Sequence, residues 1–264
     1  MFEEINGLRI AYTDEGEGPP LLFVHGFPLN RATWSKQVAF FKAKHRVIAP
    51  DLRGLGESAS STGPVSMDRF AGDLYTLLQR LATGPVVLIG HSMGGYVALA
   101  FAKTYPDALR GLVLVGTKAG RDTPEAAATR RVTAGKVKAE GVSVVVDAMA
   151  PKMLSPGNKD AATAASVHGF MAPSRPEGVI GALLGMADRP DAAAWLEQIR
   201  IPTLVITGED DTIIPPGESA ALVRSIPGAE FKAIPKAGHL VAFEQADAFN
   251  AALDDWLAKD GAVP

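Results

Sequence analysis

The clearest regularity in the chain is a set of short apolar runs separated by segments in which apolar positions recur every three or four residues. The runs Leu21-Leu22-Phe23-Val24, Arg46-Val47-Ile48-Ala49, Pro85-Val86-Val87-Leu88-Ile89, Leu112-Val113-Leu114-Val115, Thr203 to Thr207 and Phe231 to Ile234 predict strands. A strand with no polar alternation offers no face to water, so these runs predict a sheet covered on both sides. Between them, Trp34, Val38 and Phe41 fall at helical spacing, and Met67, Phe70, Leu74, Leu77, Leu78 and Leu81 form a longer stripe. Gly94 to Tyr105 reads as an apolar helix stopped by Pro106, and further helices are expected around Ala220 to Val223 and from Glu244 to Leu257. The start of the chain differs: Phe2 to Ile5 and Leu8 to Thr13 flank Asn6-Gly7, a strong short-range hairpin signal. Alternating strands and helices predict an α/β protein with a mostly parallel sheet, and the antiparallel hairpin is expected at one edge.

The rhythm breaks between about Lys118 and Ala194. This stretch is rich in Ala, Met, Gly and Pro, and Pro124, Pro151, Pro156, Pro173, Pro176 and Pro190 punctuate it. It reads as several short helices inserted over one end of the sheet. The expected organisation is therefore a core in two parts, 1–117 and 195–264, with a helical cap at 118–194.

Composition narrows the function. The 264 residues contain 26 basic and 29 acidic side chains, without the basic surplus of a nucleic-acid binder or a membrane-surface protein. The absence of cysteine removes disulfides, thiolate metal sites and cysteine nucleophiles. Met1 to Asn6 lacks the basic and apolar regions of a signal peptide, and no apolar stretch approaches the ~18 residues of a membrane span. The expectation is a cytoplasmic protein that engages neither nucleic acid nor membrane, with self-association into a homo-oligomer left open.

The chemistry is concentrated in a few segments. Gly90-His91-Ser92-Met93-Gly94 has the G-x-S-x-G pattern between a strand and a helix. In that setting the turn is tight, larger side chains at the glycines would collide with the flanking elements, and Ser92 is held above the sheet. The Met93 N–H, at a helix N-terminus, is a candidate oxyanion donor. A serine needs a base held by a third group. His239 follows the strand Phe231 to Ile234, and an acid in Glu209-Asp210-Asp211 follows Thr203 to Thr207, so all three groups are expected at one sheet edge in the order Ser, Asp, His. Spacing alone leaves Asp210 and Asp211 as alternatives. His25-Gly26-Phe27-Pro28 follows another strand, with the Phe27 N–H as a second oxyanion donor and His25 in a structural role. Gly54-Leu55-Gly56-Glu57-Ser58-Ala59 matches a dinucleotide fingerprint but is followed by Ser60-Ser61-Thr62-Gly63-Pro64 rather than by a helix, so it is set aside. No metal-ligand pattern and no cofactor motif is present.

With these segments the chain resembles the α/β-hydrolase superfamily over essentially its whole length, in its capped carboxylesterase and cofactor-free haloperoxidase (perhydrolase) branches. The resemblance rests on His25 to Pro28, Asp51-Leu52-Arg53-Gly54-Leu55-Gly56-Glu57-Ser58, Gly90 to Gly95, Gly208 to Pro215 and Gly238-His239. It implies an eight-stranded sheet, a cap after the sixth strand, and Asp211 rather than Asp210 as the triad acid. Ser92 stands where relatives that cleave carbon–halogen bonds or epoxides carry Asp. The expected function is hydrolysis of short to medium, uncharged carboxylic esters by Ser92, Asp211 and His239, with Phe27 and Met93 as oxyanion donors. Perhydrolysis, lactone opening and a slowly turning over ligand receptor are the alternatives. Trp34, Met149, Met153, Phe170, Met171, Met186 and Leu240 are candidates for an apolar substrate pocket, set against a plain core role for most of them.

Overall fold

A computed structural model describes residues 1–259. The elements are β1 (Phe2–Ile5), β2 (Leu8–Glu15), β3 (Pro20–Val24), α1 (Ser35–Phe41), β4 (Arg46–Pro50), α2 (Met67–Arg80), β5 (Val86–His91), α3 (Met93–Thr104) and β6 (Leu109–Val115). Then follow α4 (Pro124–Glu140), α5 (Ser143–Met149), α6 (Ala161–Met171), α7 (Pro176–Ala187), β7 (Thr203–Gly208), α8 (Pro216–Ser225), β8 (Glu230–Ile234), α9 (Val241–Glu244) and α10 (Ala246–Leu257). The eight strands form one sheet in the order β1-β2-β4-β3-β5-β6-β7-β8. β1 and β2 pair antiparallel, β2 joins β4 antiparallel, and every other pairing is parallel.

Successive side chains of the central strands point to opposite faces and divide accordingly. Leu22, Val24, Leu88, Leu112, Leu114 and Val205 join the core that includes α2 and α3. Leu21, Phe23, Val87, Ile89, Val113, Val115, Leu204 and Ile206 pack on the opposite face with Phe41 of α1 and Phe249, Leu253 and Trp256 of α10. Both faces are thus dry, which is why the strands read as unbroken apolar runs.

The helices α4 to α7 form an insertion between β6 and β7. Its last helix meets the core backbone to backbone, with Val65 N–H donating to the Gly181 carbonyl at 3.0 Å. Its two ends also meet. Ala192 N–H donates to Ala119 O at 3.0 Å, and Arg189 donates to the Gly120 carbonyl at 2.7 Å. Arg189 further pairs with buried Asp122 at 2.8 Å and lies over the Tyr96 ring at 4.1 Å, while Arg130 of α4 holds the second Asp122 oxygen. Burial alone would raise the Asp122 carboxyl, but these two guanidiniums outweigh it and hold it below the ordinary carboxylate range.

Two differences from the sequence expectations are local. β2 runs through Glu15, because pairing to β4 as far as Glu15↔Val47 continues the strand past the polar residues that suggest a loop. The last helix, expected from Glu244, starts at Ala246 as α10, because Gln245 leaves the helical region at φ −121° and ψ 58°, and a separate short helix, α9, precedes it and ends at Glu244. As expected, the segment Gly54 to Pro64 holds no helix, and α2 begins at Met67.

Candidate active site

β3, β5, β7 and β8 each lead at their C-terminal ends into a loop carrying one of the candidate site residues, at the edge where open α/β sheets place ligands. At the end of β5 the chain turns into α3 through Ser92, whose φ of 55° and ψ of −115° lie outside the regions a non-glycine residue favours. The flanking glycines are required there. A Cβ on Gly90 would stand 2.4 Å from the Gly94 carbonyl, and one on Gly94 would stand 2.4 Å from the Val24 carbonyl. The turn is held by Ser92 N–H donating to Val115 O at 2.9 Å and by the Thr117 hydroxyl donating to Ser92 O at 2.8 Å. Ser92 is half-buried, while His239 and Asp211 beneath it are buried.

Ser92 Oγ lies 2.9 Å from His239 Nε2, and His239 Nδ1 lies 2.8 Å from Asp211 Oδ2. The other Asp211 oxygen accepts the Ile213 and Ile214 N–H groups at 2.8 and 2.9 Å, which fixes the carboxylate's orientation. Asp210 turns away: it is exposed and accepts the Ser155 hydroxyl of the insertion at 2.6 Å. The two acids left open by spacing are therefore separated by what each one touches.

The loop after β3 lies against the serine. A Cβ on Gly26 would stand 2.9 Å from Ser92 Cβ, which puts the Phe27 amide beside the turn. Met93 is the first residue of α3, so its N–H belongs to the turn whose donors have no intrahelical acceptor. His25 holds this loop. Its Nδ1 donates to the Gly26 carbonyl at 2.8 Å and its Nε2 accepts the Leu52 N–H at 2.9 Å, which specifies one neutral tautomer. Burial pushes its pKa below the ordinary value, with Arg31 adding to that effect and Asp51 opposing it.

His91 is buried beside His239, with the two ring centroids 4.7 Å apart. Its Nε2–H donates to the His239 carbonyl at 2.9 Å. Desolvation first, and then the neighbouring His239, press its pKa well below 6.5, so it is a neutral donor.

The expected pocket residues separate into two groups. Met153, Met171 and Leu240 belong to one buried cluster with Leu29, Val146, Ala150, Val167 and Phe243, and Met149, Phe170 and Ile213 pack against it. Leu29, Ile213 and Leu240 each follow a residue of the site within two positions, so this cluster joins the insertion to the chemical edge. Trp34 and Met186 lie elsewhere. Trp34 is in the opposite-face core with Phe23, Phe41 and Phe249, edge-on to His91, and Met186 is in the α2–α3 core. Sequence reasoning missed the linking roles of His91, Thr117, Ser155 and Glu244. Apart from Gly238, which lies six residues before Glu244, their partners are far away along the chain, and only the position of His91 in the turn and of Glu244 shortly after His239 offered any signal.

The profile of the Alpha/beta hydrolase family matches residues 21–252, and the chain belongs to that family. Among solved structures it is similar to a thermophilic esterase from Thermogutta terrifontis, with a TM-score of 0.94 and 40% identity over 97% of each chain. It is also similar to the enol-lactonase from Burkholderia xenovorans LB400, with a TM-score of 0.92 and 26% identity over 98% of this chain and 100% of that one. Among curated proteins, a non-heme chloroperoxidase from Kitasatospora aureofaciens is 32% identical over 280 aligned positions, covering 96% of this chain and 98% of the relative. Among the described residues no helix is long and apolar enough to cross a membrane, and no group of three or more His, Cys, Asp or Glu is placed to hold a metal ion.

Proposed function

We propose that the protein is a serine hydrolase of carboxylic esters. The observation that carries this reading is the unbroken hydrogen-bonded chain from Ser92 Oγ through His239 to Asp211, at 2.9 and 2.8 Å. The similarity to the Thermogutta terrifontis esterase supports it.

In this reading His239 Nε2 takes the Ser92 proton as Oγ attacks the ester carbonyl. Asp211 holds the Nδ1–H tautomer and stabilises the imidazolium that forms. The Phe27 and Met93 N–H groups receive the oxyanion, each worth about 3 kcal/mol of transition-state stabilisation. His239 then protonates the leaving alcohol, and water attacks the acyl-enzyme by the same route. The cluster of Met149, Met153, Phe170 and Leu240 with Leu29 and Ile213 supplies aliphatic, sulfur and aromatic surface and no charge. Short to medium, uncharged acyl or alcohol groups suit such a wall.

The test is steady-state hydrolysis of p-nitrophenyl esters from acetate to decanoate by wild type and Ser92→Ala. Multiple turnover is expected, with kcat lowered on the order of 10⁵–10⁶-fold in Ser92→Ala. A variant retaining a tenth of the wild-type rate would overturn the serine mechanism. Turnover of lactones but not of open esters would move the substrate to the cyclic class with the same residues in place. Release of one equivalent followed by silence would indicate a receptor.

A further inference from the structure

The loop carrying His239 is held on both sides of the histidine by groups outside the triad. On its N-terminal side, Gly238 N–H donates to Glu244 Oε2 at 2.6 Å. On its C-terminal side, Leu240 N–H donates to the Met153 carbonyl of the cap at 2.8 Å. Glu244 is itself bound to the cap: Ser155 N–H lies 3.0 Å from both of its oxygens, and the Asn158 amide donates to Oε1 at 2.7 Å. Ser155 also donates through its hydroxyl to Asp210, the residue before Asp211. The backbones touch, since a Cβ on Gly238 would stand 2.3 Å from Ser155 N.

From these contacts we infer that Glu244 is a positioning residue for His239, fastening the cap segment Met153–Asn158 to the histidine loop so that a seated cap aims the imidazole. A carboxylate suits the task because its two oxygens offer about four acceptor sites and no donor, matching the three donors that converge on it. The break at Gln245 places it at the end of a short helix, within reach of both partners. The inference rests on the triad reading above and adds to it: the cap does more than enclose substrate, because part of the triad's alignment comes from cap backbone.

The test uses Glu244→Gln, which has the same shape but presents an amide donor to groups that are themselves donors. A misplacement of about 1 Å near the chemistry can cost ~10²-fold in rate, so kcat is expected to fall about 10–100-fold with KM changed less than about threefold. The low-field proton resonance of the His239 Nδ1–H···Asp211 bond is expected to broaden or shift, well below the melting temperature. Asn158→Asp alone sets two carboxylates together and should lower kcat. Combined with Glu244→Gln, it gives the new amide an acceptor and should recover at least about threefold over the worse single variant. Glu230→Gln, at an exposed pair with Lys259 far from the site, is the control.

Fluorophosphonate labelling of Ser92 separates the two readings. There the Oγ–P bond forms, fluoride leaves and His239 takes the serine proton, so the rate reports histidine alignment without any preferred ester. If wild type labels rapidly yet cleaves no ester, the ester reading fails while the Glu244 comparison still stands. The positioning role is overturned if Glu244→Gln keeps the wild-type labelling rate and proton resonance while only its melting temperature falls, or if the loss is confined to KM.

Discussion

Asp211 shows how much a single orientation carries. Its Oδ2 accepts the His239 Nδ1–H, while Oδ1 is saturated by the Ile213 and Ile214 amides. In Asp211→Asn those two amides keep the carbonyl oxygen on their side, and the NH₂ group then faces His239. The imidazole is forced toward the wrong tautomer, and kcat should fall about 10⁴-fold with little change in KM. A loss of less than tenfold in steady-state assays would remove Asp211 from the proposed triad. The buried histidines make a second prediction at this scale. His25 and His91 are neutral in the folded protein at pH values where the unfolded chain, with a histidine pKa near 6.5, takes up a proton. Unfolding therefore binds protons. Stability is full above about pH 6.5 and declines as pH falls below it, by up to about 1.4 kcal/mol per pH unit for each such group. His91→Gln retains a donor for the His239 carbonyl but no titrating ring. Its urea midpoint should depend less steeply on pH between 7 and 5 than that of wild type, and equal slopes would refute the assignment.

Among the elements, the insertion is tied at its base by Asp122, which lies between Arg189 and Arg130 with almost no exposure of itself or of Arg189. Replacing Asp122 by Ala leaves a buried guanidinium uncompensated, and this class of change costs about 3–5 kcal/mol. Thermal unfolding of Asp122→Ala should show that loss. A shift of less than 1 kcal/mol would mean that water reaches Arg189 and the pair matters little. At this scale the sequence was legible where periodicity was strong. The stripe from Met67 to Leu81 is α2, and the apolar runs are β3, β4, β5 and β6. It was less legible where tertiary contacts override local preference. The helix expected from Glu244 starts only at Ala246, since Glu244 is drawn toward Gly238 and Ser155 and the Gln245 side chain bonds the Lys236 carbonyl. Trp34 is similar. A large aromatic shortly after the His25–Pro28 segment could face either a pocket or the core, and its place against Phe23 and Phe249 depends on α10, more than two hundred residues later in the chain.

For the molecule as a whole, the reason three distant residues could be paired from sequence is topological. Each lies just beyond the C-terminal end of a strand in a parallel arrangement, and parallel strands present those ends at one edge. The glycine-bounded turn around Ser92 and the order along the chain then join Ser92 and His239 to one of the two acids Asp210 and Asp211, and only the resemblance to a known family chose between those acids before the structure did. How the insertion meets the histidine loop was not legible, because Met153, Ser155 and Asn158 lie in an irregular stretch between short helices whose partners no periodicity reveals.

The closed base of the insertion has a consequence for how such proteins diversify. Ala119 and Ala192 are bonded to each other, so the chain leaves and rejoins the sheet domain at almost one point. A segment with adjoining ends can be exchanged for another of different length with little change in loop-closure entropy, and without altering the register of β6 against β7. The insertion is in effect a cassette. Recombination at its two alanines could furnish the same chemical edge with a new roof, provided the replacement supplies backbone groups that reach Glu244 and Leu240 as well as a wall for the substrate.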